Sequence, residues 1–115
     1  MLLKIVVRDK RMVIAENIQK CRRVLEAYYG SQFKGLVLYG STVRNQAERD
    51  SDIDLLVLLN TPVDYFLELR RIIELLYPIQ LETQRLISAK PADANEYESG
   101  SISLYRNAKR EGMLV

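Results

Sequence analysis

The sequence has no histidine and only one cysteine, Cys21, in 115 residues. Without histidine there is no Ser-His-Asp triad, no Cys-His pair and no imidazole-ligated zinc. One thiol builds neither an internal disulfide framework nor a cysteine zinc site, and a reducing cytoplasm is the expected location. Glycine and proline are scarce, 5 and 3 residues, which argues against a disordered or collagen-like chain. No apolar run approaches the ~18 residues of a membrane span. The apolar stretch within Met1–Arg8 is too short for a signal-peptide core, so neither membrane nor secretion is expected. Charge of one sign is also lacking: 17 basic and 15 acidic residues leave +2, giving no reason to expect nucleic acid as the primary partner.

What is present suits one small soluble domain spanning 1–115, with 48% hydrophobic and 28% charged residues. Its chemistry must come from carboxylates, Arg, Lys, Ser, Thr, Tyr or backbone amides. That narrows an enzyme toward hard metals held by carboxylates.

Residues 1–8 read as a short strand or an ordered arm. From about Ala15, the apolar positions Ile14, Ile18, Cys21, Leu25 and Tyr28 recur at helical spacing. Cys21 lies on that stripe, so a buried, inert thiol is expected. Gly30-Ser31 ends the helix. Gly35–Tyr39 and Ile53–Leu59 are apolar runs of buried-strand type, and the polar stretch between them has helical potential around Thr42–Ala47. Thr61 and Pro62 read as the N-cap and first turn of a helix with Phe66, Leu69, Ile73 and Leu76 on its buried stripe, stopped by Pro78. Residues 79–87 alternate as a strand whose polar face carries Gln80, Glu82 and Gln84. A loop follows to about Gly100, then a helix over Ser103–Glu111 ending at Gly112. The order of elements predicts an α/β fold, a small sheet packed with helices.

The chemistry concentrates between Gly40 and Val57. Gly40-Ser41 stands where a strand meets a helix start; glycine there admits another group close to the backbone, and free amides at a helix N-terminus attract phosphate. Eleven residues after Ser41 come Asp52 and Asp54, which strand alternation places on one face. Two carboxylates so close repel unless a cation lies between them, and their oxygens suit Mg²⁺. Such a pair can hold two ions ~4 Å apart, the spacing used for in-line displacement at phosphorus. A calcium-loop reading of Asp50–Asp54 fails, because Leu55 stands where that loop needs glycine and Thr61 where it needs glutamate. An aspartyl-phosphate chemistry also uses Asp-x-Asp, on longer chains than this one.

The segment resembles the signature of the nucleotidyltransferase superfamily that includes DNA polymerase β, and more narrowly its minimal nucleotidyltransferase branch. Gly40, Ser41, Arg44, Ser51, Asp52, Asp54 and Leu55 match that signature; Asn45 stands where members usually have glycine. Ser103–Gly112 also resembles the C-terminal ends of this group. The resemblance implies a polymerase β-type fold with a small mixed β-sheet in a single domain. It also implies a third carboxylate on a later, neighbouring strand, for which Glu82 is the candidate; Gln80 is the alternative occupant and would leave the site one ligand short.

The expected activity is transfer of a nucleoside monophosphate, AMP from ATP, to a hydroxyl acceptor. Asp52 and Asp54 would bind two Mg²⁺ (or Mn²⁺), with Glu82 completing the site or helping to deprotonate the acceptor. Gly40 and Ser41 would hold the triphosphate with Ser51, and Arg44 would balance phosphate charge or brace the carboxylates. The resemblance further implies a helical HEPN-type protein as partner and acceptor, through a tyrosine, with this chain as antitoxin; a homo- or hetero-oligomer is expected. Two alternatives stand beside it: an inactive fold that neutralises the partner by contact, and a transferase for a small molecule.

Overall fold

In the computed structural model, which describes residues 10–40 and 52–115, the first element is helix α1 (Lys10–Tyr29), followed by a single 3₁₀ turn (Gly30–Gln32). Strands β1 (Phe33–Tyr39) and β2 (Ile53–Leu59) come next, then helix α2 (Tyr65–Glu82) and strand β3 (Ile87–Asp93). Two short helices, α3 (Ala94–Ser99) and α4 (Ser103–Glu111), lead into the two-residue strand β4 (Met113–Leu114). The expected arm over 1–8 and helix over Thr42–Ala47 lie outside the described residues.

The four strands form one sheet in the order β3-β2-β1-β4. β1 pairs antiparallel with β2 and β4, while β2 and β3 are parallel, so the sheet is mixed as expected. β2 is central and almost wholly apolar, and alternation sends its side chains to two separate cores. Ile53, Leu55, Val57 and Leu59 join Leu36, Leu38 and Ala89 beneath α1 and α2. Leu56 and Leu58 join Val37, Ala92, Tyr97, Tyr105 and Ala108 beneath α3 and α4. A strand buried on both faces has to read as a continuous apolar run, and this one does.

On α1 the buried stripe is Ile14, Ile18, Cys21, Leu25 and Tyr29; Tyr28 is 48% exposed, so the last position of the stripe is Tyr29. Burial pushes the Cys21 thiol up to about 11, keeping it protonated and inert.

The reading of α2 needs three corrections. Asp64 is its N-cap, accepting a hydrogen bond from the Leu67 amide at 3.3 Å, while the Thr61 hydroxyl donates to Asp93 at 2.6 Å. Ile72, Leu76 and Ile79 face the core, whereas Phe66 and Ile73 are exposed. The helix also continues through Pro78 to Glu82. Proline removes one amide donor, but Ile79 beyond it is buried in the core, and the Gln80 side chain fixes the helix end. Its amide nitrogen donates to the Arg85 carbonyl at 2.8 Å, and its oxygen accepts from the Ile87 amide at 2.7 Å.

Residues 79–87 are therefore not a strand. The third strand is Ile87–Asp93, where a loop was expected, and Pro91 sits within it. β3 lies at the sheet edge, where a residue without an amide proton is tolerated. Asp93 at its end caps α3, accepting from the amides of Asn95 and Glu96.

Candidate active site

Register places residues from three strands side by side. Tyr39 on β1 is opposite Asp54 on β2, and Asp54 is opposite Ser88 on β3. In the next row on the same face stand Val37, Leu56 and Lys90. This face carries the smaller core, with α3 and α4 covering the Leu58 and Ala92 end. Asp54, near the opposite end of β2, is half-buried. Asp52 just precedes the strand and is exposed.

Burial raises the Asp54 carboxyl above the usual carboxylate range, the charge of Asp52 raises it further, and the Lys90 ammonium draws it back. The two aspartates thus feel each other, a repulsion that a bound cation relieves. Tyr39 is pushed up to about 12 by burial first, with Asp54 and Tyr65 adding to it. At neutral pH it presents a neutral phenol beside the carboxylate. Sequence reasoning missed Tyr39, although its place as the last residue of an apolar strand, directly before Gly40, was the available signal.

Gly40 has φ +77°, in the left-handed region that disfavours side chains, and a Cβ there would run into Asp54, with the carboxyl carbon at 3.2 Å and Oδ2 closer still. The expectation that glycine here admits a close group is met, and the group is the Asp54 carboxylate. Gly40→Ala should lower stability by about 1–2 kcal/mol from the backbone alone. It should also turn Asp54 out of place, weakening metal-nucleotide binding at least ~10-fold. Thermal unfolding and Mn²⁺ titration with an ATP analogue measure the two effects; unchanged binding would show that the Asp54 position is unimportant.

Of the residues expected in the site, the structure brings Gly40 and Asp54 into contact and sets Asp52 beside them. Ser41, Arg44 and Ser51 lie outside the described residues. Glu82 does not join the site. It lies at the C-terminal end of α2, a helix that packs on the opposite face of the sheet from Asp54, and its carboxylate pairs with Lys20 of α1 at 2.9 Å. Gln80 is likewise occupied, as the clamp between α2 and β3. The strand that does neighbour β2 offers Ser88 and Lys90 to this face. Its one acid, Asp93, is five positions beyond Ser88 and engaged with Thr61 and α3. Among the described residues no group of three potential metal-ligating acids, cysteines or histidines forms. Asp52 and Asp54 nonetheless suit a hard divalent cation as two carboxylate arms, with water or substrate oxygens supplying the remaining ligands.

A mixed sheet covered by helices, with a carboxylate pair at one end of its central strand, defines a small α/β domain. The family model of the nucleotidyltransferase domain matches residues 18–110, and the chain belongs to that family. A Sulfolobus solfataricus protein crystallised as a candidate nucleotidyltransferase shares the fold. The TM-score is 0.51 at 14% identity, over 96% of this chain and 90% of that one. No curated protein matches the sequence. Among the described residues no helix is long and apolar enough to cross a membrane.

Proposed function

We propose that this nucleotidyltransferase is of the minimal type and transfers AMP from ATP to a tyrosine hydroxyl of a helical HEPN-type partner, acting as its antitoxin. The observation that carries the reading is the Asp52–Asp54 pair, with Asp54 seated against Gly40 and repelled by Asp52. Asp52 and Asp54 would hold Mg²⁺ or Mn²⁺, which when bound offsets phosphate charge and makes the α-phosphorus more electrophilic. Gly40, Ser41 and Ser51 would seat the triphosphate, and Arg44 would face its charge. The acceptor hydroxyl gives up its proton to solvent as its oxygen bonds to the α-phosphorus, the bond to the bridging oxygen breaks, and pyrophosphate leaves with that electron pair. Such chemistry is mainly positioning and charge compensation, which needs no histidine.

An aromatic acceptor is supported by a groove of about 340 Å³ between α2 and β3. Tyr65, Ile73, Tyr77 and Leu86 make its walls apolar, and Ser88 and Lys90 connect it to the Asp54 face. A second reading, a fold that neutralises the partner by contact alone, is favoured by the lack of an acid beside Asp54 on β3. Incubation of the chain with Mg²⁺, α-labelled ATP and a purified helical HEPN partner separates the two. Transfer predicts label on a partner tyrosine; tight association without label would replace the transferase reading with the binding one.

A further inference from the structure

We propose that Lys90 supplies a fixed positive charge to the site, so that the carboxylate pair binds nucleotide with one divalent ion rather than two. This rests on the nucleotide-transfer reading above. The expectation of two ions placed both on Asp52 and Asp54 with a third acid to complete the site, and among the described residues no third acid stands beside Asp54. The sheet places other groups there. Ser88 is the register partner of Asp54, Lys90 is the next residue on the same face, and Tyr39 flanks Asp54 on the other side. Tyr39 and Ser88 are neutral, and Lys90 is cationic.

Three observations assign Lys90 to a ligand rather than to the fold. Its side chain is only partly exposed, although lysine ordinarily extends into water. It makes no ion pair among the described residues, whereas Lys20 and Lys109 on the surface each engage a glutamate. Its charge is nevertheless felt at Asp54, one row away on the same sheet face, and it is also one of the residues that line the groove between α2 and β3. An ammonium unpaired among the described residues, on the same sheet face as a carboxylate suited to a cation, can meet an anion that arrives with the metal, and phosphate is the anion of this chemistry. A second dication near Asp54 would have to settle beside that ammonium, at a Coulombic penalty that partial burial enlarges.

The test counts ions. The full-length chain is titrated with Mn²⁺ in the presence of a non-hydrolysable α,β-methylene ATP analogue, with free Mn²⁺ followed by electron paramagnetic resonance. The wild type should bind one Mn²⁺ per chain, and Lys90→Asp, which adds a third carboxylate to the described face, should bind two. Lys90→Met should still bind one Mn²⁺ but hold the analogue roughly 10- to 100-fold more weakly, with Lys90→Arg recovering most of the loss. Two ions on the wild type would overturn the proposal while leaving nucleotide transfer intact, and so would unchanged analogue affinity in Lys90→Met. No binding of Mn²⁺ and analogue by the wild type would overturn the transferase reading itself and this proposal with it.

Discussion

Asp54→Asn should give a protein at least as resistant to heat as its parent that has lost most of its affinity for metal-bound nucleotide. The two effects have one source. Burial and the neighbouring charge of Asp52 raise the folded-state pKa of Asp54 above its unfolded value. The folded state therefore holds this proton more tightly, and stability falls as pH rises from about 3.9 through the folded value. At neutral pH the ionised carboxylate is a standing cost, which asparagine removes while keeping the shape. The parent should gain stability from this group on acidification through that window, and Asp54→Asn should lack the gain. Binding should run the other way, since the carboxylate that burdens the fold is, in the proposed reading, the arm that would hold the cation. Combined with Asp52→Asn, it should reduce Mn²⁺-nucleotide affinity by roughly 100-fold or more. Thermal melts across pH and Mn²⁺ titration read the two sides. Retained binding would place the metal elsewhere, and a clear fall in melting temperature for Asp54→Asn would mean that the carboxylate is already compensated by cations.

Leu25→Asp should unfold the domain or leave it on the edge of unfolding. Leu25 is 0% exposed in the core between α1 and the sheet. The change removes a buried side chain and inserts a carboxylate without a partner, together about 3–5 kcal/mol or more. Domains of this size have only about 5–15 kcal/mol in all. Ala27→Asp, two positions along on the exposed side of the same helix, should cost no more than about 0.7 kcal/mol. Circular dichroism and urea unfolding of the two variants compare the faces directly. A folded Leu25→Asp protein that only loses its partner would make this face an interaction surface instead of core.

Where burial and local spacing agreed, the fold was legible. β2 was readable as Ile53–Leu59 because a strand covered on both faces has no polar alternation to disguise it. α1 was readable because its stripe is regular over four positions; the fifth failed because adjacent tyrosines offer the same chemistry and only packing separates Tyr28 from Tyr29. α2 and β3 were misread together. Pro78 looks like a stop, but the burial of Ile79 and the two hydrogen bonds of Gln80 carry the helix one turn further. Those are tertiary contacts, invisible to local pattern. Pro91 and two alanines then hide β3, which an edge position permits. The site suffered the same displacement. The neighbourhood of Gly40, Asp52 and Asp54 was legible because it is set locally at the strand ends, whereas the neighbour of Asp54 is decided by sheet register. Glu82 was assigned to a strand that is the end of a helix, and Lys90 went unnoticed in what looked like a loop.

The central place of β2 has a further consequence, in time rather than in space. To move the Asp54 backbone, the strand must release hydrogen bonds to β1 and β3 and draw Leu55 and Leu56 out of two cores at once. An opening of that kind approaches complete unfolding and is correspondingly rare. The backbone that carries Asp54 is therefore a stationary point, bonded on both sides, whereas β3 and β4 are edge strands, bonded on one side only among the described residues. Substrate has to be brought to it; the arm does not reach out.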